Sequence, residues 1–528
     1  MASTIIRSRR DMLKLAGVLP AAGALTGLSV LPALAQSGRA IKGHDPAVVP
    51  TADTLGRWLR QLHNFGPIRA TGTPQCRAFE EFLSTEMGKL GCTVERDQFK
   101  LTSWECDIKD CSISVREDSG RTRKLEVIAY FPFGGSTLGK DAVTGKVLFA
   151  EAEGEEAGAA ILAKYSAAEL ADSIVVINMP LQGGGIRGQV TFYPGTFPDP
   201  LPPISPAPRI ASQGGGKPMA ALETKCKGLI LCYNDVSDEA ARYNYLPFSQ
   251  PHRKIPGVWV GKSGSDYLKS VSGKAVATVR CDARLTPNAR ADSLMATMKG
   301  PSDQVVFMTT HTDGPNEVND NGGLGLLACA TYFSKIRDRR RTFAFSLPTG
   351  HYASGAIRDA VTGSGRASGT GGNMAKWPDL VNRSVAQMAL EQMGAMEWAD
   401  ENLHWGSTHR PAPEHWIPTP NMQGQIGRML LASTSGLDPK LSRTGLVISG
   451  QAPGEGGSLR TRGIPGIGLM GSPHYFFRCD PRGVIDKLNP QVMHNQIMMA
   501  TRMLTMMDRL TPEQLKGTAP IADSDIFA

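Results

Sequence analysis

Apolar positions along the chain change their spacing twice, and each change marks a different kind of structure. Within Thr51–Gly91 they fall three and four apart, at Leu55, Trp58, Leu59 and Leu62, which predicts an amphipathic helix. A break at Gly66-Pro67-Ile68-Arg69-Ala70-Thr71-Gly72 precedes a second helix over Phe79–Leu90, closed by Gly91 in a left-handed cap. Cys92–Leu101 and Asp107–Val115 then alternate as strands. From about Lys124 the apolar runs shorten and are separated by glycine, with Gly145–Phe149, Ser173–Asn178, Gly228–Cys232 and Ile255–Val260 as strands and 218–227 as a helix. Residues 180–217 are rich in Gly and Pro and too long for an ordinary connection, which points to a functional or mobile loop.

The segment 128–286 therefore predicts a β-rich domain inserted into something else. Around it the rhythm is α/β. Asp292–Met298, Gln304–His311, Arg341–Leu347, Val385–Glu391 and Ile464–Gly468 have the length and composition of strands. Gly322–Ile336, Met422–Ser435 and the Met-rich Pro490–Leu510 have the spacing of helices, and the methionines read most simply as core packing. The fold class expected is α/β, a mixed and mostly parallel sheet sandwiched by helices, formed by residues 36–127 and 287–528.

The ends and the composition narrow the setting. Ser8-Arg9-Arg10-Asp11-Met12-Leu13-Lys14, a weakly apolar stretch and Ala33-Leu34-Ala35 match a twin-arginine signal peptide over residues 1–35 with its cleavage site. Export by the twin-arginine machinery to the periplasm or medium is expected, as a folded protein that could carry a metal loaded beforehand. No other stretch is apolar and long enough for an integral membrane segment, so the mature chain is expected to be soluble. The 528 residues, 41% hydrophobic and 20% charged, suit about two or three globular domains. The net charge of +8 comes partly from the signal, and no Lys/Arg run follows, so no nucleic-acid partner is expected. The nine cysteines lack Cys-x-x-Cys spacing, which argues against a zinc ribbon or thioredoxin motif. Cys106 with Cys111, or Cys226 with Cys232, could pair in an oxidising compartment.

Four expected strand ends carry side chains that bind metals or move protons: His311 with Asp320, His351, Glu391 and His474. Ligands bind at the carboxyl ends of strands in open α/β sheets, and imidazole and carboxylate donors suit zinc. No Gly-x-Ser-x-Gly elbow supports serine catalysis. His404, His409 and His415 lie in Trp398–Trp416, which reads as a long loop over the sheet edge.

These motifs, with Phe65–Thr73, Asn319-Asp320-Asn321-Gly322, Gly463–Ile467 and Asp486–Pro490, resemble the co-catalytic zinc aminopeptidase and glutamate carboxypeptidase family (clan MH) carrying an inserted protease-associated (PA) domain. The resemblance implies that His311 and His474 each bind a zinc, that Asp320 bridges two, and that Asp313 orients His311. It implies a cis peptide after Asp320 and a substrate contact near Glu455. Where the family has a Glu-Glu pair, this chain has His351-Tyr352, and Glu391 stands where the family usually has Asp. His351 could be the general base or a ligand, and the Tyr352 hydroxyl could stabilise an oxyanion. One or two zinc ions, or another divalent metal, follow. The function implied is an exported metal-dependent hydrolase cleaving a peptide or amide bond of a small substrate; the alternative is a degenerate peptidase-like protein that binds a ligand or partner.

Overall fold

The computed structural model describes residues 38–131, 133–179, 190–192, 222–234, 236–243, 252–353, 369–419, 423–450, 454–457, 461–471 and 473–528. Residues 1–35, read as a signal peptide, and all but 190–192 of the 180–217 segment lie outside these residues, and the helix expected over 218–227 begins outside them. A nine-stranded mixed sheet runs in the order Thr93–Glu105, Arg284–Met298, Arg341–Leu347, Ser302–Thr309, Ser384–Glu391, Gly466–Gly471, Glu414–Pro418, Thr444–Gly450 and Val190–Phe192. Its centre is parallel: Ser302–Thr309 lies between Arg341–Leu347 and Ser384–Glu391, and the latter is followed by Gly466–Gly471 in the same direction.

Residues of these central strands alternate between two helical layers. Val306, Met308, Phe343 and Phe345 face Ala52–Asn64, Gly322–Lys335 and Pro490–Arg509 in one core. Val305, Phe307 and Ala344 face Met374, Trp377, Leu380 and Val381 on the other side. Burial on both faces explains why these strands read as continuous apolar runs. The methionines at 493, 499, 503 and 507 are fully buried on the terminal helix, as expected.

A second sheet of eight strands occupies Cys111–Cys281. The insert boundary expected at 128 falls inside it, because Cys111–Glu117 and Thr122–Leu125 pair there and not with the larger sheet. Their alternating burial is that of a strand with one face on a core, and the sequence does not say which core. Val190–Phe192 leaves the insert to pair antiparallel with Val447–Gly450 at the edge of the larger sheet. The segment read as a loop over Trp398–Trp416 is instead a hairpin of Met396–Glu401 with His404–Pro411, followed by the sheet strand Glu414–Pro418. His404 and His409 are exposed on that hairpin, whereas His415 is buried in the sheet strand.

The helix Gly322–Lys335 starts where two strands crowd its first turn. A Cβ on Gly322 would lie 2.0 Å from Thr310 Oγ1 and 2.1 Å from the carbonyl oxygen of Leu390. That contact lets the helix start between His311 and Glu391. Gly322→Ala should therefore destabilise the chain by about 1–3 kcal/mol in urea unfolding, as overpacking does.

Candidate active site

Four adjacent parallel strands deliver His351, His311, Glu391 and His474 past their carboxyl ends, in that spatial order. His311, Glu391 and Glu455 are buried, and His351 keeps 24% of its side-chain surface exposed. The imidazoles of His311 and His351 stack, with centroids 4.5 Å apart and planes 10° from parallel. His474 is half-buried, in the turn that follows its strand.

Several of these side chains are already held by neighbours. His311 Nδ1 lies 2.7 Å from the carbonyl oxygen of Asp313, which can only accept, so Nδ1 carries the proton and Nε2 faces Glu391 Oε2 at 4.0 Å. Burial and then the neighbouring His351 lower the pKa of His311, which keeps it neutral. Asp313 thus holds His311 through its backbone. Its carboxylate instead accepts from Thr71 Oγ1 and from the backbone N–H groups of His351 and Tyr352, at 2.7, 3.1 and 3.0 Å. The family role implied for that carboxylate, orienting His311, is a correction: it pins the turn that replaces the Glu-Glu pair.

His351 Nδ1 pairs with Glu455 Oε1 at 2.5 Å. Burial works against the imidazolium, but the Glu455 carboxylate outweighs it and raises His351 to about 9. Burial likewise opposes the Glu455 charge, and His351 overcomes that and lowers it to about 2. Thr370 donates to the same carboxylate through its hydroxyl. His351 therefore enters as the cation of an ion pair, a poor general base near neutral pH. Glu391 accepts a 2.6 Å hydrogen bond from the Glu455 backbone and is pushed up to about 7 by burial and then by the charge on Glu455. Tyr352 donates to Asn319 Oδ1 at 2.7 Å, which occupies the proton that an oxyanion would need.

Asp320 decides the metal chemistry. Both its oxygens are held by Arg69, Oδ2 by Nε at 2.6 Å and Oδ1 by Nη2 at 2.7 Å, with neither side chain exposed. Burial works against both charges and raises the Asp320 pKa, but Asp320 in turn raises that of Arg69 above its ordinary value, and two close hydrogen bonds join them. Among the described residues no peptide bond is cis, so Asp320-Asn321 departs from the family expectation. A two-zinc centre needs unspent negative charge. Here Arg69 neutralises Asp320 and His351 neutralises Glu455, which leaves Glu391 and the hydrogen-bonded Asp313 as the carboxylates of the cluster without a cation against them among the described residues. The residues do not fit a bridged pair of zinc ions.

The loop between His311 and Asp320 is also a structural hub. Asn316 Nδ2 donates to the carbonyls of Tyr475, Phe476 and Arg478 at 3.1, 3.1 and 2.8 Å, fixing the turn after His474. Asn321 pairs both ways with the Met393 backbone at 2.8 Å, fixing the turn after Glu391. Tyr352 meets His351 edge-on and lines a cavity of about 570 Å³ between the two sheets. Trp104, Tyr130, Phe133, Glu105 and Asp282 line it too.

No protein-family model and no curated protein matches the chain by sequence. Solved structures do match by shape. The chain is similar to BSAP, a zinc aminopeptidase from Bacillus subtilis, with TM-score 0.56 and 13% identity over 91% of this chain and 99% of that one. It has the zinc-aminopeptidase fold. A Peptidase M28 precursor from Shewanella amazonensis gives TM-score 0.56 at 13% identity, covering 90% and 96%. An aminopeptidase from Aneurinibacillus sp. strain AM-1 gives 0.53 at 14%, covering 86% and 93%.

Sequence reasoning placed Arg69 in the opening motif without a role, and read Glu455 as a substrate contact. A buried arginine becomes recognisable only when the carboxylate opposite it is known. Glu455 turns inward to His351 instead. The two pairs make separate predictions. Arg69→Met should cost about 3–5 kcal/mol in urea unfolding by stranding a buried carboxylate, and Arg69→Met with Asp320→Leu should recover most of it. The stabilisation from the raised pKa of His351 is complete below its unfolded value of 6.5 and is lost as pH rises through about 9. The stability gap between the parent and His351→Gln should thus be widest near about pH 5–6 and close by about pH 10.

Proposed function

We propose that this chain is a peptide-binding protein on an aminopeptidase fold, in which an internal ion-pair network has replaced two-metal hydrolysis. The observation that carries this reading is the buried bidentate pair between Arg69 and Asp320. It occupies the carboxylate on which a bridged pair of ions would depend. The ligand seats in the cavity of about 570 Å³, against Trp104, Tyr130 and Phe133. Glu105, Asp107, Asp110 and Asp282 on its lining outweigh Lys109 and Arg284, and with the aromatic rings this favours a peptide with apolar side chains and a positive charge. The neighbouring folds being aminopeptidases supports a peptide over other amphipathic molecules. The insert acts as a PA-like cover over that cavity. Export in folded form by the twin-arginine route follows from Arg9-Arg10 and the cleavage motif, and changing both arginines to lysine should retain the precursor in the cytoplasm.

A second reading rests on one distance. His311 Nε2 and Glu391 Oε2 face each other at 4.0 Å from adjacent strands, and closing by about 0.7 Å would suit one zinc ion at bond lengths of about 2.0–2.1 Å. A bound ion would supply Lewis-acid chemistry there. The chain itself would contribute a neutral His311, fixed by the Asp313 carbonyl, and the Glu391 carboxylate, deprotonated on binding, as the two donors.

One experiment separates them. Cationic apolar peptides should quench tryptophan fluorescence saturably, while a panel of aminoacyl and peptidyl amides remains uncleaved with added Zn²⁺ or Co²⁺. Metal bound per chain should be the same in the parent and in His311→Ala. Turnover that His311→Ala abolishes would overturn the binding reading in favour of the single-ion hydrolase.

A further inference from the structure

Three cysteines distant in sequence meet where the chain enters and leaves the second sheet. Cys106 follows the strand Thr93–Glu105, Cys111 opens Cys111–Glu117, and Cys281 closes Ala275–Cys281. Cys281 is the register partner of Cys111 across antiparallel strands. A single 3-10 turn, Ile108–Asp110, capped by Asp107, folds Cys106 back onto that pair. The Cys106 sulfur lies 3.6 Å from that of Cys111 and 3.9 Å from that of Cys281, and all three sulfurs are within 4.8 Å of one another. Among the described residues this is the one group of three His, Cys, Asp or Glu side chains with donors that close.

We propose that Cys106, Cys111 and Cys281 form a thiolate site for a thiophilic d¹⁰ cation, zinc(II) or copper(I), beside the cavity. At a metal–sulfur bond of about 2.3 Å, tetrahedral geometry sets sulfurs roughly 3.8 Å apart and trigonal geometry roughly 4.0 Å. The 3.6 and 3.9 Å separations from Cys106 fit either geometry, and the third lies within 4.8 Å. They are far from the ~2.05 Å of a disulfide, and all three thiols are free. Cys111 and Cys281 are buried, whereas Cys106 is part-exposed and lines the cavity. Three protein ligands with an approach from a cavity is the arrangement that leaves a fourth position for water or a ligand group. Asp107, Asp110 and Asp282 line the same side, Asp107 paired with Lys109 at 2.8 Å and Asp282 with Arg280 at 3.0 Å, so the thiolates themselves supply the charge that holds the cation. On binding, each coordinating thiol gives its proton to solvent. The ion would tie the entry strand to the exit strand and hold the cavity wall in place. The site is independent of His311 and Glu391.

The test uses the full mature chain, purified under reducing, metal-free conditions and titrated anaerobically. Co²⁺ should give an intense thiolate charge-transfer band saturating at one equivalent and displaced by Zn²⁺. Copper(I), supplied against a competing chelator, should bind at the same stoichiometry and block Co²⁺. Cys106→Ser, Cys111→Ser and Cys281→Ser should each lower the affinity at least 100-fold, whereas His311→Ala leaves it unchanged. Zinc should raise the melting temperature of the parent and of His311→Ala alike, a readout that does not need the serine variants to fold well. Two results would overturn the site: three thiols titratable by Ellman's reagent in the presence of excess zinc, or a Cys106–Cys111 disulfide in protein exported by the native host.

Discussion

A guanidinium buried against a carboxylate at the head of the sheet constrains everything around it. Arg69 and Asp320 are both fully buried, and removing either would strand a charge that the interior cannot solvate. The pair fixes the opening loop to the loop after the Ser302–Thr309 strand. That anchorage is extended by the antiparallel bridge between Arg69 and Gly314, and by Thr71 on Asp313. With Asp320 so held, its neighbours become tethers: Asn316 and Asn319 reach the turn after Gly466–Gly471, and Asn321 reaches the turn after Ser384–Glu391. The strand-end architecture survives, and the charge that it would offer a pair of ions is spent internally.

The second pair follows the same logic with a different chemistry. His351 enters the cluster as a positive charge beside the buried His311. Here Glu455 compensates it, and Thr370 and the Glu391 carboxylate complete a network in which most donors and acceptors are matched. A satisfied buried network rigidifies a site, and a half-satisfied one would not persist.

The cavity links the two sheets in a way that neither provides alone. Its wall combines the opening loop, the end of the Thr93–Glu105 strand, the insert and Tyr352. Tyr352 belongs to both sides, meeting His311 and His351 edge-on while facing the cavity. The insert is joined to the larger sheet a second time through Val190–Phe192, at the strand that leads toward Glu455. A ligand in the cavity would therefore contact elements that reach the buried network through short covalent paths.

Much of the fold was legible because its signals are local. Continuous apolar runs such as Val305–Met308, followed by Gly322 and a helical period, specify a buried parallel strand and its crossover within about thirty residues. The same runs put Glu391 at the end of its strand and His311, His351 and His474 shortly beyond theirs, but they did not set the order of those strands across the sheet, in which His351 precedes His311. The strand assignment of Cys111–Glu117 was legible too, but not its sheet, since alternating burial does not name the partner. What the donors do was decided only in three dimensions. Arg69 and Asp320 are 251 positions apart, and Cys106 and Cys281 are 175. Sequence by itself determined which side chains arrive at the edge of the sheet; tertiary structure decided which charges cancel there, because neutralisation depends on distances of a few ångströms between residues that no local pattern relates.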